Sequence, residues 1–461
     1  MEKNAKETDG RNHRNGDYSQ PPQSPSKKPR TETLITEQEI KAEFTHHEEG
    51  VARINNGSFG SCPKSILSSQ NQWQLQFLRQ PDDFYFNTLR NGILRSRVLV
   101  KNFINADHVD EVSLIDNATT GAAIVLQHIG LAFLEGKYPR GESVVMLHCA
   151  YTAVKKSIHA YLTRAGCSVI EVRLPYPIKS KEDVISEFRK GLQKGKTLGG
   201  KVRLAIVDHI TSMPSVLIPI KEVVKLCRDE GVDQVFVDAA HAIGSVEINV
   251  KEIGADFYVS NLHKWFFCPP SVAFLYCKKT PISDQALHHP VVSHEYGKGL
   301  PIESAWIGTR DYSSQLVIPK AFEFVERFEG GIHGIMKRNH ANVIKMARLL
   351  SQAWGTVLGT PEEMCTGMAM VGLPSKLAVE SEEDSLALRS YLRRQYRVEV
   401  PIYYHDLREG EDAPKDLNGV ISGYVRISHQ IYNKPGDYEL LRDAINDLVN
   451  SNLVCKKLIN D

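Results

Sequence analysis

The sequence predicts an α/β protein, in which a mostly parallel sheet flanked by helices is followed by a smaller α+β unit. Three observations predict it. Runs such as Val202–Asp208 and Gln234–Asp238 are apolar at nearly every position, as strands covered on both faces are. Amphipathic helical segments lie between the runs, Glu182–Gln193 and Ile220–Glu230 among them, and that alternation points to a parallel sheet. After about residue 310 the pattern changes to two long helical segments followed by strand, helix and strands. The chain has 461 residues, of which 42% are apolar, enough for two or three domains around substantial cores.

Taken in order, residues 1–33 hold few large apolar side chains and many Asn, Ser, Pro, Lys and Glu. Such a segment buries too little to offset its ordering entropy and is expected to be a disordered tail. Its basic run Lys27-Lys28-Pro29-Arg30 reads as a solvated charge cluster, with a nuclear signal as the alternative. Thr36-Glu-Gln-Glu39 has the pattern of a capping box opening a short helix. Residues 34–79 form an N-terminal segment. Residues 80–305 form the large domain, with strands expected at Val144–Leu147, Ser168–Val172, Val202–Asp208, Gln234–Asp238, Asp256–Ser260 and Val272–Tyr276. Residues 306–461 form the small domain, with strands near Met368–Val371, Val398–Tyr403 and Tyr424–Ser428 and a helix at Glu382–Gln395.

Charge and patterning narrow the function. Lys+Arg 56 against Asp+Glu 55 gives a net charge of +1, which lacks the basic field of a nucleic-acid binder. No apolar run reaches the ~18–20 residues that cross a bilayer, and the polar N-terminus has no secretory core. Glu2, Glu7, Asp9 and Asp17 speak against an organellar transit peptide. A soluble cytoplasmic protein is expected, with the nucleus as the alternative. The eight cysteines form no CxxC pair or other zinc spacing, and no metal site is expected. No GxGxxG follows a strand. Gly191-Leu-Gln-Lys-Gly195-Lys196-Thr197 has three intervening residues where a phosphate loop has four, and it ends a helix instead of following a strand.

The chemistry concentrates in Val235-Phe-Val-Asp238-Ala-Ala-His241 and Phe257-Tyr-Val-Ser260-Asn-Leu-His263-Lys264-Trp265. An aspartate ends one buried strand, and a lysine follows the next. Ligands of open α/β sheets collect at such strand ends. Alone, Asp238 fits a helix cap and Lys264 a snorkelling surface lysine. Together they fit a cofactor with a cationic ring nitrogen and an aldehyde, which pyridoxal phosphate has.

These motifs resemble the class V aminotransferases, a family of fold-type I pyridoxal phosphate enzymes that includes cysteine desulfurases and isopenicillin N epimerase-like proteins. The resemblance runs from about Arg53 to the C-terminus, and within the family the chain looks most like the plant L-cysteine desulfhydrases. It implies a seven-stranded central sheet and an N-terminal segment that borders the active site. It also implies roles. Lys264 would anchor the cofactor and act as the base at the substrate Cα, and Asp238 would hold the ring nitrogen protonated. His241 would meet the ring's phenolic oxygen, and Tyr151 would stack on the ring, with a core tyrosine as the alternative. In Asn117-Ala118-Thr119-Thr120-Gly121, Ala118, Thr119 and Thr120 would receive the phosphate at a helix start. Ser260 and His263 would complete that cup. Thr309, in Gly308-Thr309-Arg310, would reach the phosphate of a neighbouring subunit, making a homodimer with shared sites. Arg426 would grip the substrate carboxylate, and the turn Asn55-Asn56-Gly57-Ser58-Phe59-Gly60 would border the active site, with Asn55 and Ser58 binding substrate.

Family membership fixes the cofactor and leaves the reaction open. Desulfurases carry a sulfur-accepting cysteine on a loop before the arginine strand. Here no cysteine occurs between Cys365 and Cys455. The expected reaction is therefore α,β-elimination of L-cysteine to hydrogen sulfide, pyruvate and ammonia. The alternatives are a desulfurase using another thiol such as Cys268, an epimerase, an aminotransferase and a non-catalytic scaffold.

Overall fold

The computed structural model describes residues 34–279, 287–408 and 410–458. The tail expected at 1–33, with its basic run, lies outside the described residues. From Ile35 onward the described residues pack as one compact unit. It opens with a helix at Glu37–Glu43 (α1), whose capping box forms: Thr36 Oγ1 accepts from Glu39 N–H at 3.2 Å, and Glu39 Oε2 accepts from Thr36 N–H at 2.8 Å.

Twelve strands are described, beginning with β1, Ala52–Arg53. The central sheet contains β2 (Val112–Ile115), β3 (Ser143–Leu147), β4 (Ser168–Val172), β5 (Val202–Asp208), β6 (Gln234–Asp238), β7 (Phe257–Asn261) and β8 (Ala273–Cys277). Its order is β2-β8-β7-β6-β5-β3-β4. The run from β7 to β4 is parallel, and β8 is antiparallel to both neighbours. The mostly parallel seven-stranded sheet is thus present. The sequence reading missed β2, a four-residue strand that follows Glu111 and pairs only with β8; so short a run gives a weak period-two signal. Asp256, expected to open β7, instead precedes it, its carboxylate accepting from Val235 N–H at the start of β6 and from Arg228.

The C-terminal part holds β9 (Met368–Gly372), β10 (Val398–Glu399), β11 (Ile402–Tyr404) and β12 (Gly423–Ser428). The single strand expected at 398–403 splits at Pro401, which lacks a ladder donor. The β10 half turns away to pair in parallel with β1, while β11, β12 and β9 form an antiparallel sheet. That split ties the N-terminal segment to the C-terminal part and fixes the start of the Asn55 turn.

The helices that flank the sheets include α2 (Ala118–Leu134), α3 (Lys181–Gly199), α4 (Gly331–Trp354) and α5 (Glu382–Tyr396). The phosphate-loop lookalike lies inside α3, and its glycines have a packing role. A Cβ on Gly191 would come within 2.3 Å of Val172 Cγ2, and one on Gly195 within 2.9 Å of Val202 Cγ2. Both residues let α3 lie close on β3, β4 and β5. Gly191→Ala tests this, because alanine is the better helix former by about 1 kcal/mol. Overpacking against the sheet outweighs that gain, and a net loss of about 1–2 kcal/mol is expected in chemical denaturation; a stabilised variant would refute the packing role.

Candidate active site

The site assembles at the carboxyl ends of the central strands. Asp238 closes β6 and is 4% exposed, with Oδ1 accepting from Ala240 N–H at 3.0 Å. Lys264 sits in the short helical turn Leu262–Trp265 that follows β7. Its Nζ lies 3.2 Å from His241 Nε2, and Trp265 Nε1–H donates to His241 Nδ1 at 3.4 Å. Burial first, then the charges of Lys264 and Arg426, push the His241 imidazole far down in proton affinity, so the ring is neutral. With Nδ1 accepting from the indole, the single ring proton belongs on Nε2, which donates to Lys264 Nζ. The lysine accepts there once it has lost its proton. Its own pKa is lowered to about 8, by burial and then by Arg426, with Asp238 opposing. The site thus makes a nucleophilic amine available at a pH where an ordinary lysine is fully charged.

Asp208, which the sequence reading passed over, ends β5 directly opposite Asp238 in register. It is 3% exposed, and its Oδ2 is buried without a partner. Burial and the neighbouring Asp238 push its carboxyl well above the usual range; burial raises Asp238 as well, but Ala240 N–H and Lys264 pull the other way, so of the two Asp208 is favoured to hold a proton. The clue was available: Val202–Asp208 ends in Asp-His as Gln234–Asp238 ends in Asp-Ala.

The start of α2 forms the adjoining corner. Thr119 is exposed, Ala118 buried and Thr120 half-buried. Ala118 N–H donates to Asn261 Oδ1, and Thr120 N–H to Asn117 Oδ1, both at 2.9 Å. Asn261, also unforeseen, thereby joins β7 to this helix start. Ser260 is fully buried; its Oγ donates to Ala239 O at 2.5 Å and accepts from Ile243 N–H at 3.0 Å, linking the segments around Asp238. His263 is half-buried beside Val272 O, and burial and Lys264 lower its pKa to about 4. Tyr151 is 50% exposed at the head of the Thr152–Tyr161 helix, which removes the core-tyrosine alternative. Thr309 is exposed; its neighbour Arg310 pairs with Asp116, just before Asn117.

The other wall comes from distant chain. Arg426 on β12 is 1% exposed. Its Nη1 donates to Ser212 O at 2.9 Å, and its Nη2 donates to Asn55 Oδ1 at 2.9 Å and Ser58 Oγ at 2.8 Å. Asn55 and Ser58 thus grip the arginine. Asn56 Nδ2 donates to Lys264 O at 3.1 Å. Gly60, at φ +71°, would place a Cβ 1.8 Å from His263 O, so only glycine fits where the turn meets the lysine backbone.

A family model, aminotransferase class-V, matches residues 87–375. The chain belongs to the class V aminotransferase family. It is 64% identical over 446 residues to an L-cysteine desulfhydrase of Arabidopsis thaliana, covering 96% of this chain and 98% of that one. It is 60% identical to a probable chloroplastic L-cysteine desulfhydrase of the same plant, covering 92% and 88%. Among solved structures, a cystine C–S lyase in complex with its product cysteine persulfide shares the fold, with a TM-score of 0.66 at 18% identity over 87% of this chain and 98% of that one. The cofactor of this class V aminotransferase is pyridoxal phosphate. The residues present fit it: a free amine for its aldehyde, a buried carboxylate for its ring nitrogen, and two buried polar atoms, Asp208 Oδ2 and Arg426 Nε, that have no protein partner.

The lowered lysine pKa fixes a pH dependence. Below about 8 the Nζ carries a proton and cannot attack; above it, the amine is free. Cofactor-free protein mixed with pyridoxal phosphate is expected to gain visible absorbance at a rate that rises with pH through a midpoint near 8 and levels off just above it. Levelling only near the ordinary lysine range would refute the lowered value, and Lys264→Ala should show no such covalent capture.

Proposed function

We propose that this chain is a pyridoxal-phosphate-dependent L-cysteine desulfhydrase, a carbon–sulfur lyase that releases hydrogen sulfide, pyruvate and ammonia. The observation that carries the reading is the state of its thiols, taken with the 64% identity to a desulfhydrase. All eight cysteines are buried or half-buried, and burial raises the pKa of each. A sulfur acceptor must be a mobile thiolate. Cys268, the alternative acceptor, is 1% exposed with its thiol pushed far up. The segment before β12 has no cysteine and is fastened down: Arg173 donates to Asp406 O at 2.6 Å, Lys179 pairs with Asp412 at 3.1 Å, and Asp416 accepts from Ser375 N–H at 2.7 Å.

Bound at this site, the cofactor supplies an aldehyde for the amine of Lys264 and a ring that withdraws electrons from the substrate Cα. Asp238 holds the ring nitrogen in its protonated form. The helix start at Ala118, Thr119 and Thr120, with His263, holds the phosphate. Ser260 braces that corner through its two backbone bonds. His241 orients the Lys264 amine, and Tyr151 covers the ring. Arg426 receives the substrate carboxylate, positioned by Ser212, Asn55 and Ser58, and thereby aims the Cα–H bond at Lys264. The amine takes that proton. The pair of the broken Cα–H bond forms the Cα–Cβ double bond, and the Cβ–S pair leaves with sulfur as hydrosulfide. The released enamine hydrolyses to pyruvate and ammonia.

Two further readings belong to the proposal. Thr309 is exposed beside the Arg310–Asp116 pair, close to the phosphate corner, which suits a homodimer whose partner completes each site. No helix among the described residues is long and apolar enough to cross a membrane. The cytoplasm remains the proposed compartment, although one relative carries chloroplastic in its name.

With L-cysteine, purified holoenzyme is expected to give equal amounts of sulfide and pyruvate; alanine with persulfide in place of pyruvate would overturn the assignment. Arg426→Lys loses the bidentate fork. It should lower kcat/KM about 10–100-fold, mostly through KM, equivalent to roughly 1.5–3 kcal/mol.

A further inference from the structure

A cavity of about 500 Å³ lies beside the Asn55–Gly60 turn, and its lining includes none of Lys264, Asp238, His241 or Arg426. Four arginines face it, Arg53 from β1 and Arg389, Arg393 and Arg397 from α5 and its end, against Glu48 and Glu399. Two of the four are neutralised within the protein. Arg393 pairs with Glu399 through both carboxylate oxygens, and Arg397 pairs with Glu48 at 2.7 Å. Arg53 and Arg389 have no side-chain hydrogen bond or ion pair among the described residues, and Arg389 Nε is buried without an acceptor. Both side chains are half-buried. Two half-buried guanidiniums with no carboxylate of their own, one with its Nε buried and unpaired, leave donors free for an anionic ligand. The volume suits a small molecule, within the ~300–1,000 Å³ of ligand pockets. Phe59 and Tyr432 add ring faces to the lining, which favours an organic anion over a bare inorganic ion.

We propose that this cavity binds a small organic anion with two or more acidic groups, carboxylate or phosphate, through the forks of Arg53 and Arg389. It is an effector site distinct from the cofactor centre. Asn55 belongs to both places: it lines the cavity, and its Oδ1 holds Arg426 Nη2. Arg389 also lies near enough to Arg426 to depress its pKa. The charge of a bound anion therefore reaches Arg426 and weakens its attraction for the substrate carboxylate, making the occupant an inhibitor. This coupling rests on reading Arg426 as the substrate-carboxylate residue; the binding site itself does not.

The test is calorimetric titration of holoenzyme with citrate and, separately, glucose 6-phosphate, with chloride holding ionic strength constant. One site per chain is expected for at least one probe, and the stronger probe identifies the acid class. Arg53→Gln and Arg389→Gln should each weaken binding at least about tenfold, with cofactor absorbance intact, while Arg389→Lys retains part of the affinity. The bound probe should raise KM for L-cysteine in the unmodified enzyme, leave kcat unchanged and have no such effect in Arg389→Gln. Absence of binding by both probes, or undiminished binding in both glutamine variants, overturns the proposal. Should L-cysteine prove not to be a substrate, the desulfhydrase reading fails and the calorimetry still decides the cavity.

Discussion

The structure depends on one amine held where its charge is expensive. Lys264 sits past the end of a fully buried strand, facing a neutral histidine whose other nitrogen is occupied by an indole. Each partner removes a reason for the amine to keep its proton: burial penalises the cation, Arg426 repels it, and only Asp238 favours it. Burial raises both Asp238 and Asp208, opposite it on β5, and Asp238 is the one favoured to ionise because Ala240 N–H and Lys264 offset part of that effect. The order of β5, β6 and β7 in the sheet thus arranges acid, carboxylate and amine side by side before any cofactor is bound.

Recognition of substrate is organised differently. Arg426, proposed to receive the substrate carboxylate, lies on the antiparallel sheet, and the groups that hold its guanidinium come from the N-terminal turn and from Ser212. The strand end fixes the reacting amine, while a joint between chain ends fixes the arginine. The joint exists because Pro401 interrupts one strand, so that β10 is free to pair with β1. Small shifts there would move Arg426 relative to Lys264 without disturbing the central sheet, which makes the joint the natural place for selectivity to vary among enzymes that share this fold.

Much of this was legible in the sequence, for reasons that can be named. Asp238 and Lys264 stood out because each terminates an apolar run, and polar groups at buried strand ends are few. The central strands were visible for the same reason, since strands covered on both faces carry no polar alternation. Asp208 escaped because an Asp-His after a strand reads as an ordinary turn; only its register against Asp238 shows what it does. Asn261 and Ser212 escaped because each acts on a residue far away in sequence, and nothing local marks an asparagine or serine for that task. The roles of Asn55 and Ser58 were placed near the substrate but not on the arginine itself. The turn pattern indicates backbone geometry and does not identify the side chain across from it.

The hydrogen bond from Arg426 to Asn55 spans 371 positions along the chain, and that from Tyr432 to Asn56 spans 376. A polypeptide emerging from the ribosome can complete its central sheet long before either contact exists. During that interval the Lys264 amine lacks the repulsion from Arg426 that helps to lower its pKa, and the Asn55 turn lacks the guanidinium it closes on. Both walls of the site therefore come into being together, only once synthesis has passed β12.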